Sequence, residues 1–252
     1  MIARRPVLPA LPVLTVLLGL GSAPASAQAI RAPADVRAIE DQCRKGLAAA
    51  CTNAGVIYHE GMGVPRDTVR GAALFQRACD GGDPRGCSNL GITHVKEAIT
   101  EGDAMAAVRL LERGCTGDDA LGCRTLGWMY DQGHGVPADP ARAARLYAKA
   151  RSLYERDCGN GDARACTMVG VSAGEGKGSA RDEKRAVEFY QRGCDGRDGL
   201  GCKYLADAYE QGLGVARDRA QATAIRARAC SAGFTPACGQ ARPAAAGRDD
   251  LP

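Results

Sequence analysis

The sequence predicts an all-α solenoid of stacked helix hairpins, and three observations support this fold class. All twelve cysteines of the 252-residue chain fall into pairs eight positions apart. The first cysteines of successive pairs are 36 residues apart four times and 43 residues apart once. A fixed period of this size indicates repeats that bury their core between neighbours. An aromatic content of 4%, with abundant Ala and Gly, fits thin helical layers better than a large sheet.

The first 27 residues have the pattern of a secretory signal peptide. Arg4 and Arg5 give a positive start, residues 7–20 are apolar, and Ala25-Ser26-Ala27 matches the small-residue cleavage pattern. The apolar run is interrupted by two prolines and is too short to span a bilayer permanently. We therefore expect cleavage after Ala27, no stable membrane insertion, and export to the periplasm or the exterior.

Export favours disulfides for the paired cysteines, because an oxidising compartment stabilises them. Structural zinc sites place two to four residues between ligands, whereas each pair here encloses seven. Zinc is therefore the weaker alternative, and we expect neither a metal nor a cofactor. Closing a loop of about nine residues contributes roughly 2–3 kcal/mol per bridge. The predicted bridges are Cys43–Cys51, Cys79–Cys87, Cys115–Cys123, Cys158–Cys166, Cys194–Cys202 and Cys230–Cys238.

The repeat array is predicted over residues 35–238, after an extended lead at 28–34. Asp35 has the character of an N-cap for a helix over 36–43, so residues 35–50 form an opening half-repeat. Residues 239–252 lack apolar periodicity and are expected to form a disordered tail. Five full units follow the half-repeat, beginning at Cys51, Cys87, Cys123, Cys166 and Cys202.

Each unit carries the pattern of two helices. If its first cysteine is position zero, positions three, four and seven form one helix face, with Gly or Ala at position four allowing close approach of a neighbour. A Gly-x-Gly-Val turn follows at 61–64, 133–136 and 212–215. At position sixteen every unit has an Asp that is predicted to cap the second helix: Asp67, Asp103, Asp139, Asp182 and Asp218.

The second helix runs to the next cysteine, so each bridge is expected to join the end of one hairpin to the start of the next. The 43-residue unit repeats Leu146-Tyr147 as Leu153-Tyr154, which indicates one inserted heptad. Seven residues lengthen a helix by about 10 Å and keep its buried face in phase.

Known catalytic and nucleic-acid-binding patterns are missing from the sequence. No Ser is followed by Lys at the S-x-x-K spacing of serine β-lactamases. The three histidines, His59, His94 and His134, lie in different units, and no Gly-rich turn continues into a phosphate-binding motif. The net charge is +4, and two of these charges lie in the signal segment. The remaining slightly basic chain argues against a nucleic-acid partner.

Written out, the unit reads C-x-x-L-G-x-x-Y-x-x-G-x-G-V-x-x-D with an A-C-D-G-G-D-x-x-G-C type junction. On these motifs the chain resembles Sel1-like repeat proteins over about residues 36–238, and most of all their disulfide-rich exported branch, the Helicobacter cysteine-rich protein family. Residues 97–100 and 176–179 depart from the turn motif. The resemblance implies a right-handed superhelix of tetratricopeptide-like hairpins that acts as an adaptor or binding scaffold.

Two functions follow from this resemblance. The favoured one is a non-catalytic, monomeric scaffold for a protein or peptide, because the first helices of such arrays usually line a concave groove. The alternative is a β-lactam-binding protein with weak β-lactamase activity, as some family members are described. Nitrocefin turnover above that of a boiled control, lost on reduction, would support the alternative.

Candidate binding residues lie at the variable positions of the first helices, positions one, two, five, eight and nine. The sole tryptophan occupies position five of the third unit, and tryptophan and arginine are common interface anchors. Two Asn side chains at equivalent positions could hold a peptide backbone. Ordinary inter-repeat packing of the tryptophan and solvation of the Asn side chains remain alternatives. The candidates are Asn53, Asn89, Arg124, Trp128 and Lys203.

Overall fold

The computed structural model describes residues 33–97 and 101–231, and the regular structure within these ranges is entirely helical. The signal segment, the predicted tail and Cys238 lie outside the described residues. Eleven helices are present in the described part of the chain: α1 Pro33–Arg44, α2 Ala48–Glu60, α3 Thr68–Asp80, α4 Pro84–Glu97, α5 Glu101–Thr116, α6 Ala120–Gln132, α7 Pro140–Gly159, α8 Ala163–Glu175, α9 Glu183–Asp195, α10 Gly199–Gln211 and α11 Arg219–Ser231.

The helices form five antiparallel hairpins in chain order, α2/α3 to α10/α11, with α1 packed against α2 as an opening half-hairpin. The first helices of the hairpins are α2, α4, α6, α8 and α10, and several of them touch their neighbours directly: α2 touches α4, α4 touches α6, and α8 touches α10. Successive second helices do not pack together in this way. The array therefore curves with the first helices on its inside, and we call the surface they present the inner face.

Five of the six predicted bridges are present, and each joins a second helix, or α1, to the first helix that follows. The bridged cysteines are buried. The sixth predicted bridge involves Cys230 in α11 and Cys238, which lies outside the described residues. The solenoid of helix hairpins stapled by disulfides is thus confirmed.

Glycines end the first helices, as the turn motif predicts. Gly61, Gly133, Gly176 and Gly212 follow α2, α6, α8 and α10 with φ between 72° and 76°, the left-handed region that favours glycine. The second glycine of the turn has a packing role as well. A Cβ on Gly214 would lie 2.3 Å from the carbonyl oxygen of Glu183, so the turn after α10 packs directly on the start of α9.

The predicted caps of the second helices are correct in four units. The side chains of Asp67, Asp139, Asp182 and Asp218 each accept a hydrogen bond from the backbone N–H three residues on, at 2.8–2.9 Å. Asp103 is not a cap, because α5 begins at Glu101 and contains it. Its unit lacks the Gly-x-Gly-Val turn, so nothing in the sequence requires the helix to start after Asp103.

The start of the array also differs from the prediction. Helix α1 begins at Pro33, so Asp35 lies in its first turn and is not its N-cap, and the predicted lead overlaps the helix. Proline suits the first helical position because its φ is already helical and it has no N–H to satisfy. An acidic side chain in the first turn still interacts favourably with the helix dipole.

Three caps of first helices were missed by the sequence reasoning. Asp119, Asp162 and Asp198 precede α6, α8 and α10, and each accepts a hydrogen bond from the N–H three residues on, at 2.8–3.0 Å. The first helices therefore begin three residues before the cysteine from which the units were counted. In three cysteine loops the acidic residue directly before the first helix is thus its cap.

Position four is a close contact between the two helices of a hairpin. A Cβ on Gly55 would lie 2.5 Å from the ring of Phe75, and one on Gly170 would lie 2.7 Å from the ring of Tyr190. Both aromatic rings belong to the second helix of the same hairpin. The small residue thus lets the two helices approach each other closely around an aromatic side chain, as the pattern predicts.

The inserted heptad is present as the longer helix α7, which has 20 residues against 13 in α3 and α9. The turn after α8 consequently meets α7 in its middle: a Cβ on Gly178 would lie 2.7 Å from the carbonyl carbon of Tyr147. The turn after α10, by contrast, packs on Glu183, the first residue of α9. Helix α8 is therefore shifted along α7, and the inner face has a step between α6 and α8.

None of the helices in the described ranges is long and apolar enough to cross a membrane.

Candidate binding face

The two predicted asparagines lie at the amino-terminal end of the inner face. Asn53 is exposed on α2, and Asn89 is half-buried on α4. The backbone carbonyl of Asn89 accepts a hydrogen bond from the Thr93 hydroxyl at 3.0 Å. This bond does not involve the side-chain amide of Asn89. These two residues are separate from the other three candidates, which lie on α6 and α10.

Trp128 lies at the step between α6 and α8. Its side chain is 39% exposed, and its ring stacks on His134 at a centroid distance of 4.9 Å. In regular units position five is better covered, since Val171 is 6% exposed and Val56 and Ile92 are half-buried. The shift of α8 explains why Trp128 is more exposed than these residues, because it leaves the carboxyl-terminal part of α6 without a neighbouring first helix.

Two ion pairs bridge the step. Arg124 on α6 donates to Glu175 at the end of α8 at 2.7 Å. Lys177 donates to Asp131 at 2.5 Å, and this hydrogen bond lowers the pKa of Asp131. Arg124 and Trp128 are four residues apart, so they share one side of α6. The predicted pair Arg124 and Trp128 therefore forms one continuous patch with the end of α8.

A cleft of about 310 Å³ opens beside this patch, between α8, α9 and α10. Val171, Ala186 and Val187 are among its apolar lining residues. Its two aromatic side chains, Tyr190 and Tyr204, stack at a centroid distance of 5.1 Å. The carboxylates in its lining are Glu175, Glu183 and Asp207.

The third predicted residue of this region, Lys203, stands at the far side of the cleft. Its ammonium group donates to Asp207 at 2.7 Å and lies 5.1 Å from the ring centroid of Tyr204. Arg226 donates to the other oxygen of Asp207 at 3.0 Å. Arg124 and Lys203 thus border the cleft from opposite sides, each bonded to a carboxylate that lines it.

The sequence reasoning missed the cleft itself. The sequence feature that indicates the cleft is Gly174 at position eight, where the other units carry a larger side chain. These side chains belong to His59, Val95, Asp131 and Glu210. The nearest atoms to a Cβ on Gly174 would be the Tyr190 hydroxyl at 3.3 Å and the Ala186 Cβ at 3.5 Å. The missing side chain leaves room above Tyr190, and this room became recognisable only once α8 and α10 were placed side by side.

Position one, among the variable positions from which binding residues were predicted, is buried in several units. At position one, Thr52 and Thr167 are 3% and 0% exposed. Their hydroxyls donate to Asp83 and Asp198, which directly precede the first helices of the following hairpins, α4 and α10, at 2.7 and 2.6 Å. Only the long side chains of Arg124 and Lys203 reach the inner face from this position.

The chemistry of the face suits binding. Burial, with Tyr204 and Glu175 nearby, raises the pKa of Tyr190 to about 12, so its phenol stays protonated at neutral pH and can donate or accept hydrogen bonds. No cysteine in the described ranges is free, and no group of three metal-ligating side chains occurs there. The face therefore offers aromatic surfaces, carboxylates and ion-paired cations.

The fold defines a disulfide-stapled helical repeat protein whose first helices line its inner face. The Sel1 repeat model matches residues 48–83, 120–154, 163–198 and 200–234, which is more than half of the chain. The chain therefore belongs to the Sel1 repeat family. The matches omit residues 84–119, the unit without the Gly-x-Gly-Val turn.

A solved structure with a TM-score above 0.5 shows the same fold. A Sel1 repeat protein of Klebsiella pneumoniae is 16% identical, with a TM-score of 0.53 over 82% of this chain and 97% of that one. Cysteine-rich protein B of Helicobacter pylori is 22% identical over 57% of this chain and 98% of that one, with a TM-score of 0.36.

A protective antigen of uropathogenic Escherichia coli is 24% identical, with a TM-score of 0.46 over 81% of this chain. This chain spans 42% of that protein's length. No curated protein matches the chain by sequence.

Proposed function

We propose that this chain is an exported, non-catalytic scaffold that binds a protein or peptide partner on its inner face. Proteins built from Sel1 repeats generally mediate protein interactions. The observation that carries the proposal is the adjacency of an exposed Trp128 and an aromatic cleft, connected by the Arg124–Glu175 ion pair. Exposed aromatic anchors beside a cleft are typical of interaction hot spots.

Export is part of this proposal. The basic and apolar start of the chain and its small-residue cleavage pattern support it. Five disulfides at regular positions support it as well, since such bridges form and persist in oxidising compartments. In such a compartment the bridges fix each hairpin to the next, so a partner would meet a preorganised surface.

The test is partner capture with Trp128→Ala and a matched control. Because Trp128 is exposed and α6 keeps its core contacts, the variant should keep the helical content and the thermal unfolding of the wild type. It should recover less of the proteins that the wild type captures from the envelope of the source organism. Val69→Ala is the control, since Val69 is 81% exposed on α3, away from the inner face.

Equal recovery of the same proteins by Trp128→Ala, Val69→Ala and the wild type would contradict the assignment of the inner face. A loss with both variants would indicate a general effect on the protein and would contradict it too.

A further inference from the structure

We propose that the cleft between α8, α9 and α10 receives a lysine or arginine side chain of an extended partner segment. This inference rests on the proposed scaffold function and specifies what one site on the inner face recognises. The cleft combines an apolar interior with two tyrosine rings and three carboxylates, Glu175, Glu183 and Asp207. Arg181 is the one cationic side chain among the described residues that line it, and Arg124, Lys203 and Arg226 pair with its carboxylates from outside the lining.

The apolar interior suits the stem of a long basic side chain. Lysine and arginine bury their methylene groups along apolar surfaces while the charged head stays at a polar rim. Val171 and Val187 supply such a surface, at 6% and 9% residual exposure. A shorter polar side chain would leave this part of the cleft unfilled.

The rings provide a second attraction for a cation. Tyr190 and Tyr204 stack with an interplanar angle of 25°, and a cation within about 6 Å of a tyrosine face is attracted to it. Lys203 already uses the Tyr204 ring in this way, with its ammonium group 5.1 Å from the centroid. That position on Tyr204 is therefore already occupied, and a partner cation would have to displace Lys203 or approach the tyrosine pair from another side.

The carboxylates retain capacity for a further cation. Arg124 bonds one oxygen of Glu175, and Arg181 bonds one oxygen of Glu183 at 2.6 Å; no hydrogen bond to the second oxygen of either group occurs among the described residues. Both pairs are partly exposed, with 46% and 37% of the two glutamate side chains accessible. Such exposed pairs contribute little and rearrange readily. Asp207, by contrast, is satisfied on both oxygens by Lys203 and Arg226.

The experiment is calorimetric titration of the full mature chain with blocked pentapeptides, Ala-Ala-X-Ala-Ala. In these, X is arginine, lysine, citrulline or norleucine. Citrulline keeps the shape of arginine without its charge, and norleucine keeps the stem of lysine without its head. The arginine and lysine peptides should bind about tenfold more tightly than their neutral counterparts, because charge-assisted hydrogen bonds to a carboxylate are the strong ones.

Two variants locate the binding. Gly174→Leu should abolish it by filling the cleft, while Gly159→Leu, whose Cβ would have no atom within 4 Å, should bind like the wild type. Glu175→Gln combined with Glu183→Gln should weaken the arginine and lysine peptides about tenfold and leave the neutral ones unchanged. Circular dichroism checks that each variant is folded.

Equal affinity of the lysine and norleucine peptides would overturn the inference, as would unchanged binding in folded Gly174→Leu or no binding of any peptide. If the peptides fail while capture still depends on Trp128, only this inference falls. If capture is independent of Trp128, the scaffold proposal falls.

Discussion

A single hydroxyl at position one links two of the hairpins to the hairpin that follows. The Thr167 hydroxyl, fully buried, donates its one hydrogen to Asp198 at 2.6 Å, and its oxygen lies 3.2 Å from the Ala163 carbonyl oxygen. The same carboxylate caps α10 by accepting from the Gly201 N–H at 3.0 Å. One aspartate therefore fixes both the start of a first helix and its contact with the preceding unit.

Glycines make this contact possible. A Cβ on Gly193 or Gly201 would lie 2.1 or 2.5 Å from the Thr167 hydroxyl oxygen. Gly193 and Gly201, each next to a cysteine of the Cys194–Cys202 bridge, thus have a packing role that turn formation alone does not explain.

Thr167→Val should lower the free energy of unfolding by about 1–3 kcal/mol, because it removes the hydrogen bond of a buried hydroxyl to the charged Asp198, whose Oδ2 then keeps only the Gly201 N–H. Thr125→Val is the control. The Thr125 hydroxyl donates only to the Leu121 carbonyl of its own helix, so its loss should cost less than about 0.5 kcal/mol. Urea unfolding followed by circular dichroism measures both. Equal effects of the two variants would show that the link between units contributes nothing.

Among the helices, α7 shapes the binding face most. Its extra heptad keeps the buried side in phase, so Tyr147, Leu153 and Tyr154 are all buried, at 6–8% exposure. The sequence predicted the longer helix from the repeated Leu-Tyr pair. It could not predict the step, because the step depends on the turn after α8 packing against the middle of α7.

Deletion of residues 147–153 should remove the step. Tyr154 then takes the place of Tyr147 beneath Gly127, and α8 moves by about 10 Å to lie beside α6. The protein should stay helical, and Trp128 should become covered. Because it is the only tryptophan, its fluorescence should shift to shorter wavelength and iodide should quench it less.

Deletion of the five residues 148–152 is the matched control. It turns the remaining part of α7 by about 140° and should prevent folding. If the seven-residue deletion unfolds the protein, or if Trp128 stays as accessible as before, the explanation of the step is wrong.

At the scale of the whole molecule, different contacts hold the two sides of the array. First helices pack directly against each other, whereas successive second helices are joined by ion pairs between long side chains. Glu112 pairs with Arg142 at 2.9 Å, and Glu155 pairs with Arg185 at 2.8 Å. Glu40 and Arg70 make the equivalent pair between α1 and α3. With the disulfides, these pairs connect every unit to its neighbours only, as in other repeat arrays.

The repeat period, the cysteine pairs and the turn glycines were sufficient to predict this architecture, because each depends on contacts within one unit or between neighbours. The cleft was not predictable in the same way. It depends on the missing side chain of Gly174 and on two tyrosines, Tyr190 and Tyr204, that lie on different helices and fourteen positions apart. Three of the five predicted binding residues nevertheless border it or lie next to it.

The most direct test of the central claim is a photo-crosslinking scan in the source organism. The photoreactive residue p-benzoylphenylalanine replaces, one at a time, Asn53, Trp128 and Tyr204 on the inner face. It likewise replaces Val69, Arg145 and Glu188, which are exposed on second helices. We expect adducts with the same protein from the inner positions and none from the outer ones. Adducts from the outer positions, or none from any position, would contradict the account.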